Sequence, residues 1–403
     1  MNSKLAIQGG TPVHTTGWPN WPIYDHLEEQ SILEVLHSGK WWYVDGTKVR
    51  EFEGKFSNLH HSNFATAVTN GSAAIEVALK ALSIGCGDEV IVPAYTFVAT
   101  AASVLAVSAT PIFVDIDPSN LNIDPKQVEA AVTSRTRAII PVHIAGCPAD
   151  MDAILDIART HNLAVIEDAA QAVCAEWNGK PVGALGDCGT FSFQASKNLN
   201  SGEGGVVISN DESLADLIWS VANVGRTRGG KKYEHPVLGS NYRLTEFQAA
   251  ILLAQMTRLE EQSLTRTRNA KTLSCYLHDI SGITTLKLDP RVTRHAYHLY
   301  IFRYNSAEFG GHSRDEFVEA LKSEGIPASD GYLPLYGEEV FHHGRGRCQI
   351  ASQQSLEQYK DKCPTTEAVC ADGIWLPQNA LLGTETDMQH IVEAIVKIKT
   401  WWS

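Results

Sequence analysis

Between about residues 63 and 210, short apolar runs alternate with stretches that repeat at helical spacing. The runs are FATAVT, EVIVPAYTF, TPIFVDI, RAIIPVHI, LAVIED, CGTFSFQ and GGVVISN. Several are continuous rather than alternating, which is the pattern of strands covered on both faces. Between them, SAAIEVALKAL sets Ile75, Ala78, Leu79 and Leu82 on one helical face, with Ser72 as the expected N-cap. DPKQVEAAV puts Asp124 at a cap and Pro125 in the first turn, and DMDAILDIARTHN reads similarly. Strands alternating with helices predict an α/β fold with a mostly parallel, seven-stranded sheet.

After about residue 241 the pattern changes. RLTEFQAAILLAQMTRLEEQSLTRTRNAKTLSCYL predicts long helix, AYHLYIFRY a strand, and TETDMQHIVEAIVKIKTWW a closing helix. These imply a smaller C-terminal α+β domain. The expected division is an N-terminal arm at 1–55, a large domain at 56–255 and a small domain at 256–403. The arm carries Trp18, Trp21, Trp41 and Trp42, aromatic surface for packing on another domain or another subunit.

Composition narrows the function. The 403 residues are 44% hydrophobic and 20% charged, ordinary for a globular chain, with a net charge of −13. An acidic surface repels phosphate backbones and anionic lipid, so neither nucleic acid nor membrane is an expected partner. The uncharged stretch 90–114 is long enough to cross a bilayer. Pro93 and Pro111 interrupt it, and Ala, Ser and Thr dilute it, so it reads as strand, buried helix, strand. The N-terminus lacks a basic-then-apolar leader, and a cytoplasmic location is expected. The eight cysteines, Cys86, Cys147, Cys174, Cys188, Cys275, Cys348, Cys363 and Cys370, form no CxxC pair, so thiols rather than disulfides or a metal site are expected.

An open α/β sheet binds its ligand where the loops leave the C-terminal strand ends. Four features collect there. FSFQASKNLNSGEGG brings Ser192 and Lys197 together ahead of a glycine-rich turn, and a lysine of lowered pKa is a carbonyl nucleophile. LAVIEDAAQA ends a strand on Glu167 and Asp168, where a carboxylate needs a partner such as a protonated pyridine nitrogen or a helix terminus. TNGSAAIEV is a strand, a Gly71–Ser72 turn and a helix, whose free N–H groups suit a phosphate. PAYTF offers Tyr95 as an aromatic plate or as core. Together they fit a phosphorylated pyridine aldehyde.

With those motifs in order, the chain resembles the sugar and cyclitol aminotransferases of the DegT/DnrJ/EryC1/StrS family. TNGSAAI, EVIVPAYTFVAT, IIPVHIAG, VIEDAAQA, TFSF…K…GEGG, GSNYRLTEFQAAI and GIWLPQN carry the resemblance over nearly the whole chain. It implies the aspartate-aminotransferase (type I) fold and a homodimer with shared active sites. It implies pyridoxal 5'-phosphate held covalently by Lys197, with Asp168 on the ring nitrogen and Gln171 beside the ring. Ser192, with the backbone at Gly71 and Ser72, would hold the phosphate, Tyr95 would stack on the ring, and Asn241 would reach the phosphate from the partner subunit. Arg226, Arg228, His295 and Tyr297 are the candidate substrate contacts.

WPIYD, HSGKWW, FSFQ and VGRTRGGKKYEHPVLGSNYRL look closest to the 3-amino-5-hydroxybenzoate synthases and the glutamine-dependent scyllo-inosose aminotransferases. The implied reaction moves an amino group from glutamine or glutamate to the ketone of a cyclitol or sugar, as in aminocyclitol or amino-sugar antibiotic biosynthesis. The rival readings are a cofactor-dependent dehydratase of the 3-amino-5-hydroxybenzoate type and a non-catalytic regulator on the same fold. The family's dehydratases replace the lysine with histidine, whereas this chain keeps Lys197. Cys174 is a departure, because many relatives carry glycine there.

Overall fold

In a computed structural model, residues 4–231, 233–342 and 353–402 are described. The seven apolar runs are all strands: β1 (Phe64–Val68), β2 (Glu89–Pro93), β3 (Thr110–Val114), β4 (Thr136–Ile139), β5 (Ala164–Asp168), β6 (Cys188–Ser192) and β7 (Gly205–Ser209). They form one seven-stranded sheet in the order β1-β7-β6-β5-β4-β2-β3. Only β7 runs against the others, antiparallel to both β1 and β6.

The continuous apolar runs are explained by two separate cores. Side chains alternate across a strand. Ile91, Val165, Phe191 and Ile208 face one buried cluster, and Val90, Val92, Ile166 and Val207 face the other. The uncharged stretch 90–114 is β2, the helix Ala99–Ala106 and β3. No helix of the described residues is long and apolar enough to cross a membrane.

Helix starts follow local chemistry. Asp124 and Asp150 cap the helices after them, with Pro125 in the first turn of its own. At the helix Gly71–Ala81 the cap is Asn70, whose side chain accepts from Ala73 N at 2.8 Å. Ser72, the expected cap, instead sits inside the first turn, which leaves its N–H and that of Gly71 at positions with no intrahelical acceptor. The predicted long helix is two, Glu246–Met256 and Leu259–Leu277, broken at Thr257 and Arg258.

The C-terminal region builds a four-stranded antiparallel sheet from β8 (Ile283–Thr285), β9 (Leu299–Tyr304), β10 (Ser329–Asp330) and β11 (Gly373–Pro377), in the order β8-β9-β11-β10. The helix Glu385–Trp402 packs its Ile391, Ile395 and Ile398 into the core of this sheet. The N-terminal segment packs in two places. Leu5 enters that same core, and Ala6 N and Val13 N donate to the Glu324 carboxylate. The helix Lys48–Leu59 starts against Glu246 of the helix Glu246–Met256, which accepts from Lys48 N and Val49 N. The four tryptophans part company as well. Trp18 donates to Gly325 O, Trp21 donates to Ala195 O, and Trp41 and Trp42 stay 51% and 45% exposed.

Candidate active site

The ends of β1, β2, β5 and β6 open into a cavity of about 920 Å³, bounded on the far side by residues in and beside the C-terminal sheet. Gly71, Ser72, Asp168, Gln171, Ser192 and Lys197 all line it.

Asp168 ends β5 and is 5% exposed. Its Oδ2 accepts from Thr100 Oγ1 at 2.7 Å and its Oδ1 from Ala170 N at 3.2 Å. Burial raises its carboxyl above the usual range, while Thr100, Ala170 and the Lys197 charge pull it down. Lys197 sits in the loop from β6 to β7, pinned by Lys197 N on Gln194 O, Ser201 N on Phe193 O and Ala195 N on Gly202 O. Its ammonium has no hydrogen-bond or ion-pair partner among the described residues. Burial lowers it to about 8, against the pull of Asp168. A lysine held there is neutral often enough at physiological pH to act as nucleophile and base.

The phosphate-sized corner requires glycine. A Cβ on Gly71 would meet Ser192 Cβ at 2.7 Å, and one on Gly205 would meet Asn70 O at 2.4 Å. The start of the helix Gly71–Ala81 is thereby pressed against the Ser192 hydroxyl. The first two N–H groups of a helix, its positive end and a hydroxyl thus line the same part of the cavity. Gln171 bridges the walls: its Oε1 accepts from Ala145 N and its Nε2 donates to Tyr332 OH at 3.0 Å. This set fits pyridoxal phosphate, with an anion cradle, an uncommitted amine, and a carboxylate with unused acceptor capacity around one cavity.

Several expected residues lie elsewhere. Tyr95 is fully buried, its hydroxyl accepting from Trp375 Nε1 at 3.0 Å, so it is not the plate over a ring in this cavity. Phe97, two residues on and 55% exposed, lines the cavity instead. β2 stops at Pro93 and the chain bends, which turns 95 inward and 97 outward. His295 and Tyr297 stack on each other, centroids 3.9 Å apart, and line a separate 380 Å³ cavity. His298 reaches the main cavity instead, because Tyr297 takes φ 49° and turns the chain. Burial holds His298 well below the usual histidine range, helped by the Lys197 and Arg266 charges.

Arg226 and Arg228 do not line the cavity of their own chain. Arg228 pairs with Asp216 and lies over Trp219, and Arg226 Nε is buried without an acceptor. Asn241 is exposed and also outside this chain's cavity, while its neighbour Tyr242 lines it. Sequence reasoning missed Thr100, Phe97, His298, Tyr332 and Gln378. Phe97 and Thr100 lay inside YTFVAT and Gln378 inside GIWLPQN, motifs already singled out, and nothing in either string tells donor from filler.

Residues 22–396 match the DegT/DnrJ/EryC1/StrS aminotransferase family. The chain belongs to that family. Within the family it is 39% identical over 411 residues, 99% of this chain and 98% of the relative, to a putative L-glutamine:3-amino-2,3-dideoxy-scyllo-inosose aminotransferase of Streptoalloteichus tenebrarius. It is 36% identical, over 94% of this chain and 96% of the relative, to the 3-amino-5-hydroxybenzoate synthase of Amycolatopsis mediterranei. A crystal structure of 3-amino-5-hydroxybenzoic acid synthase superposes with a TM-score of 0.89 at 35% identity, covering 96% of this chain and 99% of the other. Members of a family of aminotransferases need a group that accepts and returns an amino group, and the cavity is arranged for one. Cys174 has φ 68°, the left-handed region glycine enters freely, so here a buried thiol side chain carries that strain.

Proposed function

We propose that this aminotransferase uses pyridoxal 5'-phosphate to move an amino group from glutamine or glutamate to the ketone of a cyclitol or sugar. The observation that carries the reading is Lys197: an amine without a partner, lowered to about 8, facing the same cavity as Asp168 and the Gly71–Ser192 cradle. The relatives named as L-glutamine:2-deoxy-scyllo-inosose aminotransferases, 34–36% identical over 99% of this chain, support the donor and the acceptor class.

The cofactor supplies an electron sink conjugated to the travelling nitrogen. The chain's own groups do the rest. Gly71 N–H, Ser72 N–H and the Ser192 hydroxyl bind the phosphate. Asp168 stabilises a positive charge on the ring nitrogen, and Phe97 covers a ring face. Lys197 Nζ holds the cofactor at rest, then takes a proton from the donor α-carbon and returns it across the cavity. His298, uncharged, adds no second cation beside that amine.

The site is shared in a homodimer, with Asn241 reaching the partner subunit's phosphate. Support comes from Asn241 lying exposed beside its own cavity and from the half-exposed Trp41 and Trp42. Free thiols at Cys147, Cys174, Cys188, Cys275, Cys363 and Cys370 suit a reducing, cytoplasmic setting. Cys348 lies outside the described residues.

Purified protein incubated with a donor-by-ketone panel, including scyllo-inosose and nucleotide-linked keto sugars, should exchange ketone for amine, read by product mass. Amination of simple α-keto acids alone would refute the acceptor class. Similarity to 3-amino-5-hydroxybenzoate synthase favours one other reading, loss of water, which the same mass measurement separates. For the dimer, subunits of inactive Lys197→Ala and inactive Asn241→Asp are mixed and allowed to exchange. A shared site regains activity, because one site of each mixed dimer is then wholly native. Exchange without recovery would place Asn241 outside the partner's site.

A further inference from the structure

One buried guanidinium has no anion among the described residues. Arg266 is fully buried and makes no ion pair among the described residues. Its Nε and Nη2 both donate to Gln378 Oε1, at 2.9 and 2.5 Å, its guanidinium lies 5.2 Å from the Trp21 ring centroid, and Nη1 has no acceptor. An unpaired buried charge is costly, and the usual compensation is a carboxylate.

The two donors on Gln378 also decide which way its amide points. A guanidinium has only donors, so the oxygen must face Arg266 and the nitrogen must face away. Gln378 is 3% exposed, yet it lines the main cavity, and its Nε2 has no acceptor within the described residues. Trp21 lines the same wall. At this wall the cavity therefore presents the uncommitted Gln378 N–H₂ group, backed by a positive charge that cannot leave.

We propose that Gln378 binds the carboxylate of the amino donor, and that Arg266 is the positioning residue that fixes its amide and supplies the compensating charge. This rests on the reading of the cavity as an aminotransferase site, and it adds how that cavity admits two unlike molecules in turn. A carboxylate gains from the buried charge, whereas an uncharged polyol ketone gains only an ordinary hydrogen bond. Arg266 lies behind Gln378 and touches neither substrate.

The test uses holoenzyme and two unreactive probes: glutarate, a dicarboxylate without an amino group, and scyllo-inositol, a polyol without a ketone. Calorimetry should show glutarate binding at least 10-fold weaker in Gln378→Leu, with scyllo-inositol affinity within about 2-fold of wild type. In turnover the donor KM should rise while the ketone KM stays. Gln378→Glu should lose glutarate binding and melt no lower than wild type, because Arg266 gains an ion-pair partner. That second variant guards against Gln378→Leu simply misfolding. Wild-type protein that does not bind glutarate, or a Gln378→Leu variant that binds it normally, would overturn the assignment. So would loss of scyllo-inositol in place of glutarate. If Gln378→Leu transfers amino groups with an unchanged donor KM, this proposal fails and the aminotransferase reading stands. If wild type binds glutarate through Gln378 but transfers nothing from any donor, the reading fails and the anion site stands.

Discussion

Glu167 and Asp168 are neighbours in β5, and their side chains leave the strand on opposite faces. On one face, Glu167 is fully buried and saturated. Oε2 takes His143 Nε2 at 3.0 Å and Gly183 N at 2.7 Å, and Oε1 takes Leu185 N and Gly186 N, each at 2.7 Å. Burial would raise its carboxyl, but His143 and the glycine N–H groups hold it below the usual range. On the other face, Asp168 has two donors, an upward shift and an open cavity in front of it. Two buried acids on one strand thus have different uses. A carboxylate whose lone pairs are all taken is part of the fold, and one left short of donors can bind something else.

The strongest way to break this contrast is on the cavity face. Lys197→Ala and Asp168→Ala should each cut turnover by about 10³-fold or more, roughly 4 kcal/mol of barrier. Neither should lower the melting temperature, since each removes a buried charge that the fold compensates poorly. Assays per mole of folded protein, beside thermal unfolding curves, check both halves. Near-normal turnover by Asp168→Ala would reduce that carboxylate to a partner for Ala170 N.

The sealed face should respond in the opposite way. Glu167→Leu leaves His143 and three backbone N–H groups without their acceptor, and should cost about 3–5 kcal/mol of stability. Turnover by the fraction that remains folded should stay within a few fold. Loss of activity without loss of stability would place Glu167 in the chemistry after all.

Stability against pH sharpens the comparison through its sign. Glu167, held low, contributes stability in full above its unfolded value of about 4.3, and that contribution is lost as pH falls through its folded value. Asp168, raised, costs stability at neutral pH, and the cost fades as pH falls below its folded value. Glu167→Gln should therefore melt below wild type and Asp168→Asn above it, the Asp168 difference shrinking as pH falls from 7 toward 4 while the Glu167 difference holds down to about pH 4.3 and shrinks only below it. Melting curves from pH 4 to 8 read this directly, and equal signs for the two variants would erase the distinction.

Smaller effects fall at the edges of the site. Thr100→Val removes one donor from Asp168, and a hydrogen bond to a charged group contributes about 1.5–3 kcal/mol. Turnover should drop about tenfold or more with little change in melting. Cys174→Gly exchanges left-handed strain for a lost buried side chain, so unfolding should shift by about 1 kcal/mol or less, with kinetics unchanged.

The sheet was legible because each of its strands is a local run, apolar on both faces, and helices cover both sides. Lys197, Asp168, Ser192 and the Gly71 turn were legible because they end those runs, and strand ends in an open α/β sheet converge. Cys174 stood out as a departure, and its φ of 68° shows why glycine suits that position. What the string of residues could not supply were the turns of chain beyond each strand. PAYTF holds two aromatics, and only the bend after Pro93 sends Tyr95 into the core and Phe97 to the cavity. HAYH holds two histidines, and only the left-handed turn at Tyr297 chooses His298 over His295. The pairing of Arg266 with Gln378 joins residues 112 apart in sequence. Local pattern determines which segments become strands and helices, because backbone hydrogen bonding and side-chain periodicity act over a few residues. Which side chains face one cavity is decided when distant loops pack, because desolvation and hydrogen-bond partners then come from chain far away.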